Sequence, residues 1–249
     1  MARTTSSEAV ARALPRGPSP AEPLQGTTLA ATISNRIRAG ILTGERPPRS
    51  RVRLEELKDE FKVSWSPLRE AMSRLVAEGL IQIDEGRAYR VAPVSRAELA
   101  DVIRLRCVLE CMALRASIER GDDAWEAGVL AAHHRLSKLE ARRERKADIG
   151  HWEAWHRAYH DALIGACDSP LLLQLCAQLH DLNSRYRRLF LSANPFDRDV
   201  PGEHRALTTA VMAHKAERAC ALLETHIERT GRNILASMAE PGRKPKPSA

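Results

Sequence analysis

Val63-Ser64-Trp65-Ser66-Pro67-Leu68-Arg69-Glu70-Ala71-Met72-Ser73-Arg74-Leu75-Val76-Ala77-Glu78-Gly79-Leu80-Ile81 is the stretch whose reading decides the fold. Ser64 can cap a helix whose Pro67 falls in the first turn, where a missing N–H costs no hydrogen bond. Leu68, Met72, Leu75 and Val76 then recur at helical spacing, and Gly79 ends the helix. Arg69, Arg74 and the hydroxyls of Ser64 and Ser66 are left for phosphates and base edges. Leu80-Ile81-Gln82-Ile83 and the segment Asp84 to Val91 read as two strands around a short basic wing that holds Arg87 and Arg90. Upstream, Ile33, Ile37 and Ile41 share one face of the segment Leu29 to Leu42, and Leu54, Leu57 and Phe61 share one face of the next. Three short helices and a hairpin in this order make a winged helix-turn-helix with Val63 to Ile81 as its recognition helix, which implies double-stranded DNA as partner.

The same order, with the pattern Val-Ser-x-Ser-Pro-Leu-Arg-Glu-Ala and the later Glu-Gly-Leu-Ile, resembles the GntR family of bacterial transcription regulators over about residues 29 to 94. Trp65 stands where most members carry an arginine that reaches into the major groove, and Ala88 where the wing usually has glycine. A bidentate arginine–guanine contact is typically worth ~1 to 3 kcal/mol of discrimination, so its loss at position 65 implies an operator unlike the common family consensus. Trp65 is either a packing residue at the foot of the helix or a contact to a thymine methyl or sugar.

A chain of 249 residues with 43% hydrophobic content is long enough for two domains, each with its own core. The formal charge of +7 favours a polyanionic partner, although Arg16, Arg243, Lys244 and Lys246, in the terminal segments, supply part of it. The sequence has no apolar run long enough to span a bilayer and no apolar signal core near Met1, which implies a cytoplasmic protein with no membrane partner. Five cysteines without close spacing suit a reducing compartment, and all fall in apolar helical patterns as small core residues. The expected organisation is a disordered segment over 1–27, the winged helix over 28–94, a helical domain over 95–239 and a disordered basic tail over 240–249.

From Ser95 onward no strand alternation is found, and the chain divides into about six amphipathic helices. These run near Arg96 to Arg120, Asp123 to Lys146, His151 to Cys167, Pro170 to Leu191, Gly202 to His214 and Lys215 to Met238. Leu99, Val102, Ile103, Leu109 and Met112 in the first, and Trp125, Val129, Leu136 and Leu139 in the second, are spaced to enter one core. The fold class is therefore mainly α, a winged helix-turn-helix followed by an all-helical bundle. This second part resembles the helical FCD effector domain of the FadR-type branch. Tyr159-His160-Asp161-Ala162-Leu163, Ala166-Cys167-Asp168-Ser169-Pro170-Leu171-Leu172, Arg185-Tyr186-Arg187-Arg188-Leu189 and Glu203-His204-Arg205-Ala206-Leu207 are most similar to the carbon-starvation-induced (CsiR) subgroup.

His156 and His160 are four apart in a helix, so both imidazoles project from one face and can meet one ion, while His204 and His226 fall on two further helices. Most histidines in helices are plain surface or hydrogen-bonded core residues, and that reading stays open. The FCD resemblance implies a metal site in which His160, His204 and His226 match the three histidine positions and His156 replaces the usual aspartate. An all-nitrogen set favours zinc or nickel over calcium or magnesium. His133, His134, His151, His180 and His214 show no such pattern and read as structural or exposed. The resemblance also implies an effector pocket beside the metal. Arg106 and Glu110 match its Arg-x-x-x-Glu, which makes Arg106 an anion clamp or, alternatively, half of a helix-surface ion pair, and Arg185 and Arg187 are further candidates.

These readings describe a regulator and not an enzyme, since no HExxH motif or clear carboxylate base accompanies the histidines. It would bind a partly palindromic operator as a homodimer and act as a repressor responsive to a small carboxylate, for which the subgroup resemblance implies a five-carbon dicarboxylate. A metal-dependent hydrolase with a DNA-targeting domain and an effector-independent architectural DNA binder are the alternatives.

Overall fold

A computed structural model describes residues 28–84, 88–141, 149–190 and 199–238. The expected disordered ends, the wing residue Arg87 and the continuation of the second bundle helix to Lys146 lie outside the described residues.

The chain opens with α1 (Leu29–Thr43), whose N-cap Thr28 accepts a hydrogen bond from the Ala31 amide at 3.2 Å. Two-residue β1 (Arg51–Val52), α2 (Leu54–Phe61), α3 (Trp65–Ala77), β2 (Ile81–Ile83) and β3 (Tyr89–Val91) follow. The strands form an antiparallel sheet in the order β1-β3-β2, with Gln82 opposite Arg90 and Ile83 opposite Tyr89. The sequence reading contained the β2–β3 hairpin but not β1, because a two-residue strand carries no alternation to detect. Gly79 ends α3 at φ 72°, a conformation that favours glycine, and so turns the chain directly into β2. Ile33, Ile37, Ile41, Leu57, Leu68, Met72, Leu75 and Val91 close one core, in which every apolar position inferred for α1 is buried.

The second part is all helix: α4 (Arg96–Arg120), α5 (Asp123–Ala141), α6 (Ile149–Ile164), α7 (Pro170–Phe190), α8 (Val200–Met212) and α9 (Ala216–Met238). Its core is built from Leu114, Val129, Leu136, Tyr159, Leu163, Leu207, Val211, Leu223 and Ile227. The apolar spacing of α4 misleads in one respect. Met112, expected in the core stripe, is 52% exposed beside exposed Leu105 and Val108, while the ion-forming Arg106 and Glu110 on the opposite face are buried. Leu99 and Val102 are buried and Ile103 and Leu109 pack against the core, so Met112 alone departs from the stripe, where the part of the interior that receives Arg106 and Glu110 is polar.

The two parts meet along α7. Leu182 packs against the winged-helix core, and the Tyr186 hydroxyl accepts from the Ser95 amide at 3.0 Å and is paired with Glu98. Ser95 caps α4 by accepting from the Glu98 amide at 3.0 Å. Tyr186 thereby takes the Ser95 donor that a capping-box glutamate would otherwise satisfy.

Candidate functional site

The exposed end of the winged helix gathers the inferred DNA contacts. Ser64 occupies the N-cap of α3, but its hydroxyl makes no capping bond, leaving it outward together with exposed Ser66 and Arg69. Arg69 has no ion-pair partner among the described residues, whereas Arg74 is tied to Glu70 at 2.5 Å and Arg90 to Asp84 at 2.8 Å. Both of those pairs are half-exposed, so they are weak and exchangeable for phosphate. Trp65 is 37% exposed and carries the Lys58 ammonium 4.9 Å from its ring centroid. Lys58 of α2 was not singled out from sequence, because its relation to Trp65 exists only once α2 and α3 are folded together.

Inside the bundle, α6, α8 and α9 bring His156, His160, His204 and His226 together. One potential ligand atom from each lies within 4.8 Å of all the others, and all four residues are buried. The ring centroids are 4.6 Å apart for His156 and His160 and 4.8 Å for His204 and His226. Three carboxylates from other helix positions surround the imidazoles. His204 Nδ1 lies 3.0 Å from Glu140, His226 Nδ1 2.8 Å from Glu203, and His160 Nδ1 3.7 Å from Glu110. At His204 and His226 the carboxylate on Nδ1 fixes the ring orientation and favours an Nε2 that can bind a metal. The His204 Nε2, the His160 Nε2 and the His156 Nδ1 are buried without a hydrogen-bond partner. Such nitrogens are costly unless something occupies the centre.

Electrostatics favour the ligand form of these rings. Burial, and then the nearby Arg187 charge, pushes His156 well below its usual range. Burial lowers His160 to about 4 despite the opposing effect of Glu110. Neutral imidazoles can donate a lone pair, and an all-nitrogen set suits a borderline transition ion. The residues present therefore fit a metal.

Arg106 and Arg187 stand beside this centre, each held by a buried glutamate. Arg106 Nε donates to Glu110 at 2.6 Å and Arg187 Nε to Glu153 at 2.7 Å. Burial alone would raise the Glu110 carboxyl, but Arg106 and His160 outweigh it and hold it down to about 2. Arg106 is thus half of an ion pair, in the interior and not on the helix surface. Arg185, grouped with these two in the sequence reading, is placed elsewhere. Its guanidinium donates to the Ala92 carbonyl at the seam with the winged helix, because it lies on a different face of α7 from Arg187.

His180 was set aside from sequence as structural or exposed. It is buried with its ring 5.7 Å from His160 and 6.1 Å from His156, and its Nε2 has no hydrogen-bond partner. Burial and the Arg106 charge push its titration well below the usual range. Helical spacing from Asn183 and Arg187 was the available signal, since the three fall on one face of α7.

Comparison with known proteins accords with this geometry. The family model for gntR-type bacterial regulatory proteins matches residues 29–91, and that for the FCD domain matches residues 101–229. The HTH-type transcriptional regulator BphR of Paraburkholderia xenovorans (strain LB400) is 39% identical over 203 residues, covering 81% of this chain and 83% of BphR. The HTH-type transcriptional repressor GlaR of Escherichia coli (strain K12) is 38% identical over 191 residues, covering 75% of this chain and 87% of GlaR. Among solved structures, E. coli McbR/YncC shares the fold at a TM-score of 0.72 and 20% identity, covering 86% of this chain and 100% of that one. All of these are transcription regulators and none is an enzyme. The chain belongs to the GntR family of bacterial regulatory proteins, in the branch whose DNA-binding domain is followed by an FCD domain.

Proposed function

We propose that this chain is a cytoplasmic, metabolite-responsive repressor that binds a partly palindromic operator as a homodimer and changes operator affinity when a small carboxylate enters the histidine centre. Two-fold protein symmetry matches symmetric half-sites. The likeness to the repressor GlaR supports the sign of regulation. His156, His160, His204 and His226 would hold zinc or nickel, and the bound ion would supply an electrophilic centre for a carboxylate oxygen. Arg106 and Arg187 neutralise the remaining anionic charge, exchanging part of their pairing with Glu110 and Glu153 for the ligand. The resemblance to the carbon-starvation subgroup favours a five-carbon dicarboxylate such as glutarate or 2-hydroxyglutarate.

The observation that carries this reading is the double engagement of α7. Toward the histidines it presents His180 and Arg187, and toward the winged helix it presents Leu182, Arg185 and Tyr186. A ligand that draws Arg187 away from Glu153 acts on the helix that also holds Ala92 and Ser95, so the two ends share one rigid lever. Coupling through such an element is typically ~1 to 3 kcal/mol.

The test is the melting temperature of metal-assayed protein against a panel of short mono- and dicarboxylates, with and without prior chelation, paired with operator affinity. A ligand at ~100 times its dissociation constant stabilises the folded state by roughly 2.7 kcal/mol. A rise that chelation abolishes, with weakened operator binding, is the expected result. Equal competition by unrelated DNA would instead indicate an architectural binder.

A further inference from the structure

Along the seam of α4 and α9, three cysteines converge on a groove of about 330 Å³ lined by Cys107, Cys111, Arg115, Cys220 and Glu224. Cys111 of α4 and Cys220 of α9 face each other. The Cys111 Sγ is 3.5 Å from the Cys220 carbonyl, and the Cys220 Sγ is 3.5 Å from the Cys111 carbonyl. This reciprocity lays the two thiols side by side across the helix seam. The seam itself is tight: a Cβ on Gly231 of α9 would fall 2.1 Å from Ile103 of α4. Cys111 is half-buried, and all five cysteines are free thiols.

We propose that Cys111 and Cys220 form a peroxide-sensitive dithiol whose oxidation to a disulfide fastens α4 to α9. The chemistry needs a hydroperoxide as oxidant and nothing else. The sulfur of one cysteine attacks the peroxide oxygen, the O–O bond breaks, and a sulfenic acid forms with release of water or an alcohol. The second thiol attacks that sulfur, the S–S bond forms, and the hydroxyl leaves as water. Two sulfurs are oxidised by one electron each and the peroxide takes up both electrons.

The surroundings prepare one sulfur for the first step. The hydrogen bond from Cys111 lowers the Cys220 thiol against burial, with help from the Arg115 charge, while the same contact and burial raise Cys111. Cys107 is the contrast on the same groove, raised by burial to about 11. Cys176, outside the groove, is raised by burial to about 12. The cross-link would join the helix of Arg106 and Glu110 to the helix of His226, outside the metal centre itself.

The experiment treats full-length, metal-loaded protein with one equivalent of hydrogen peroxide, alkylates the remaining thiols under denaturing conditions and maps the peptides by mass spectrometry. The expected product is an intramolecular Cys111–Cys220 disulfide, reversed by dithiothreitol and formed about tenfold faster than any change at Cys167 or Cys176. In Cys111→Ser, a sulfenic acid trapped by dimedone should appear on Cys220 instead. Cys111 and Cys220 remaining alkylatable, oxidising no faster than Cys167 and Cys176, or linking two copies of the chain would each overturn the proposal. The wild-type map decides the matter even if the serine variant does not fold.

Discussion

The two functional surfaces of this protein handle charge in opposite ways. On α3 and the wing, Arg69, Arg74 and Arg90 stand in water, either without an ion pair among the described residues or held by half-exposed carboxylates. In the bundle, Arg106 and Arg187 are buried and each is locked to a buried glutamate beside neutral histidines. An exposed cation is available to a polyanion at little cost to folding. A buried one is part of the folded state, and a ligand can engage it only by competing with its partner. The first surface should therefore separate binding from stability, and the second should join them.

The sharpest way to break this contrast is Glu153→Ala, which leaves the Arg187 guanidinium buried without its bidentate partner. Removing one member of a buried pair typically costs about 3 to 5 kcal/mol. Urea unfolding of the variant should show a loss of that size. A loss below about 1 kcal/mol would mean that Arg187 reaches water and that the two surfaces do not differ as described.

Acid should act next, on the bundle. His156, His160 and His180 titrate below their unfolded values, so the unfolded chain binds protons more readily than the folded one. Their contribution is present in full above the unfolded value of about 6.5 and is lost as pH falls through the folded values, about 4 for His160. Chelated protein should lose stability across that window, and His204→Ala should already have lost metal at neutral pH. Full metal retention in His204→Ala would remove His204 from the centre.

How far each surface could be read from sequence follows from the same contrast. The recognition helix is local: proline in the first turn, apolar spacing and terminating glycine all lie within one stretch, so α3 was legible there even though the Ser64 hydroxyl makes no capping bond. His160, His204 and His226 were legible because they match a family pattern, and His156, which departs from it, because it shares a helix face with His160. What escaped depends on contacts between distant segments. Glu140, Glu153 and Glu203 look like ordinary helix-surface acids until α5, α6 and α8 pack, and nothing local separates Arg185 at the seam from Arg187 at the centre. The exposed Met112 and buried Arg106 on α4 escaped for a related reason, since apolar periodicity locates the apolar part of the interior and not the polar part beside the histidines.

Arg69→Ala sharpens the comparison from the other side. Its guanidinium is exposed and makes no ion pair among the described residues, so unfolding free energy should change by no more than about 0.5 kcal/mol. Operator affinity should fall by ~1 to 3 kcal/mol if it reads a base edge. Unchanged operator affinity, measured by fluorescence anisotropy at fixed salt, would remove Arg69 from the DNA-binding surface.

The finest test belongs to Trp65. Its exposure and the ammonium of Lys58 above its ring place it between a packing residue and a DNA contact. A cation–π pair at an exposed site contributes roughly 0.5 to 1 kcal/mol, and that is the loss of stability expected for Trp65→Ala. A larger loss would make Trp65 part of the winged-helix core and leave it little freedom to meet DNA. A loss in this range together with weaker operator binding would instead assign the ring to the interface. Lys58→Ala distinguishes the source of the binding change: loss of a phosphate contact lowers the salt dependence of affinity by about one unit of slope, whereas loss of an apolar contact to the ring leaves that slope unchanged.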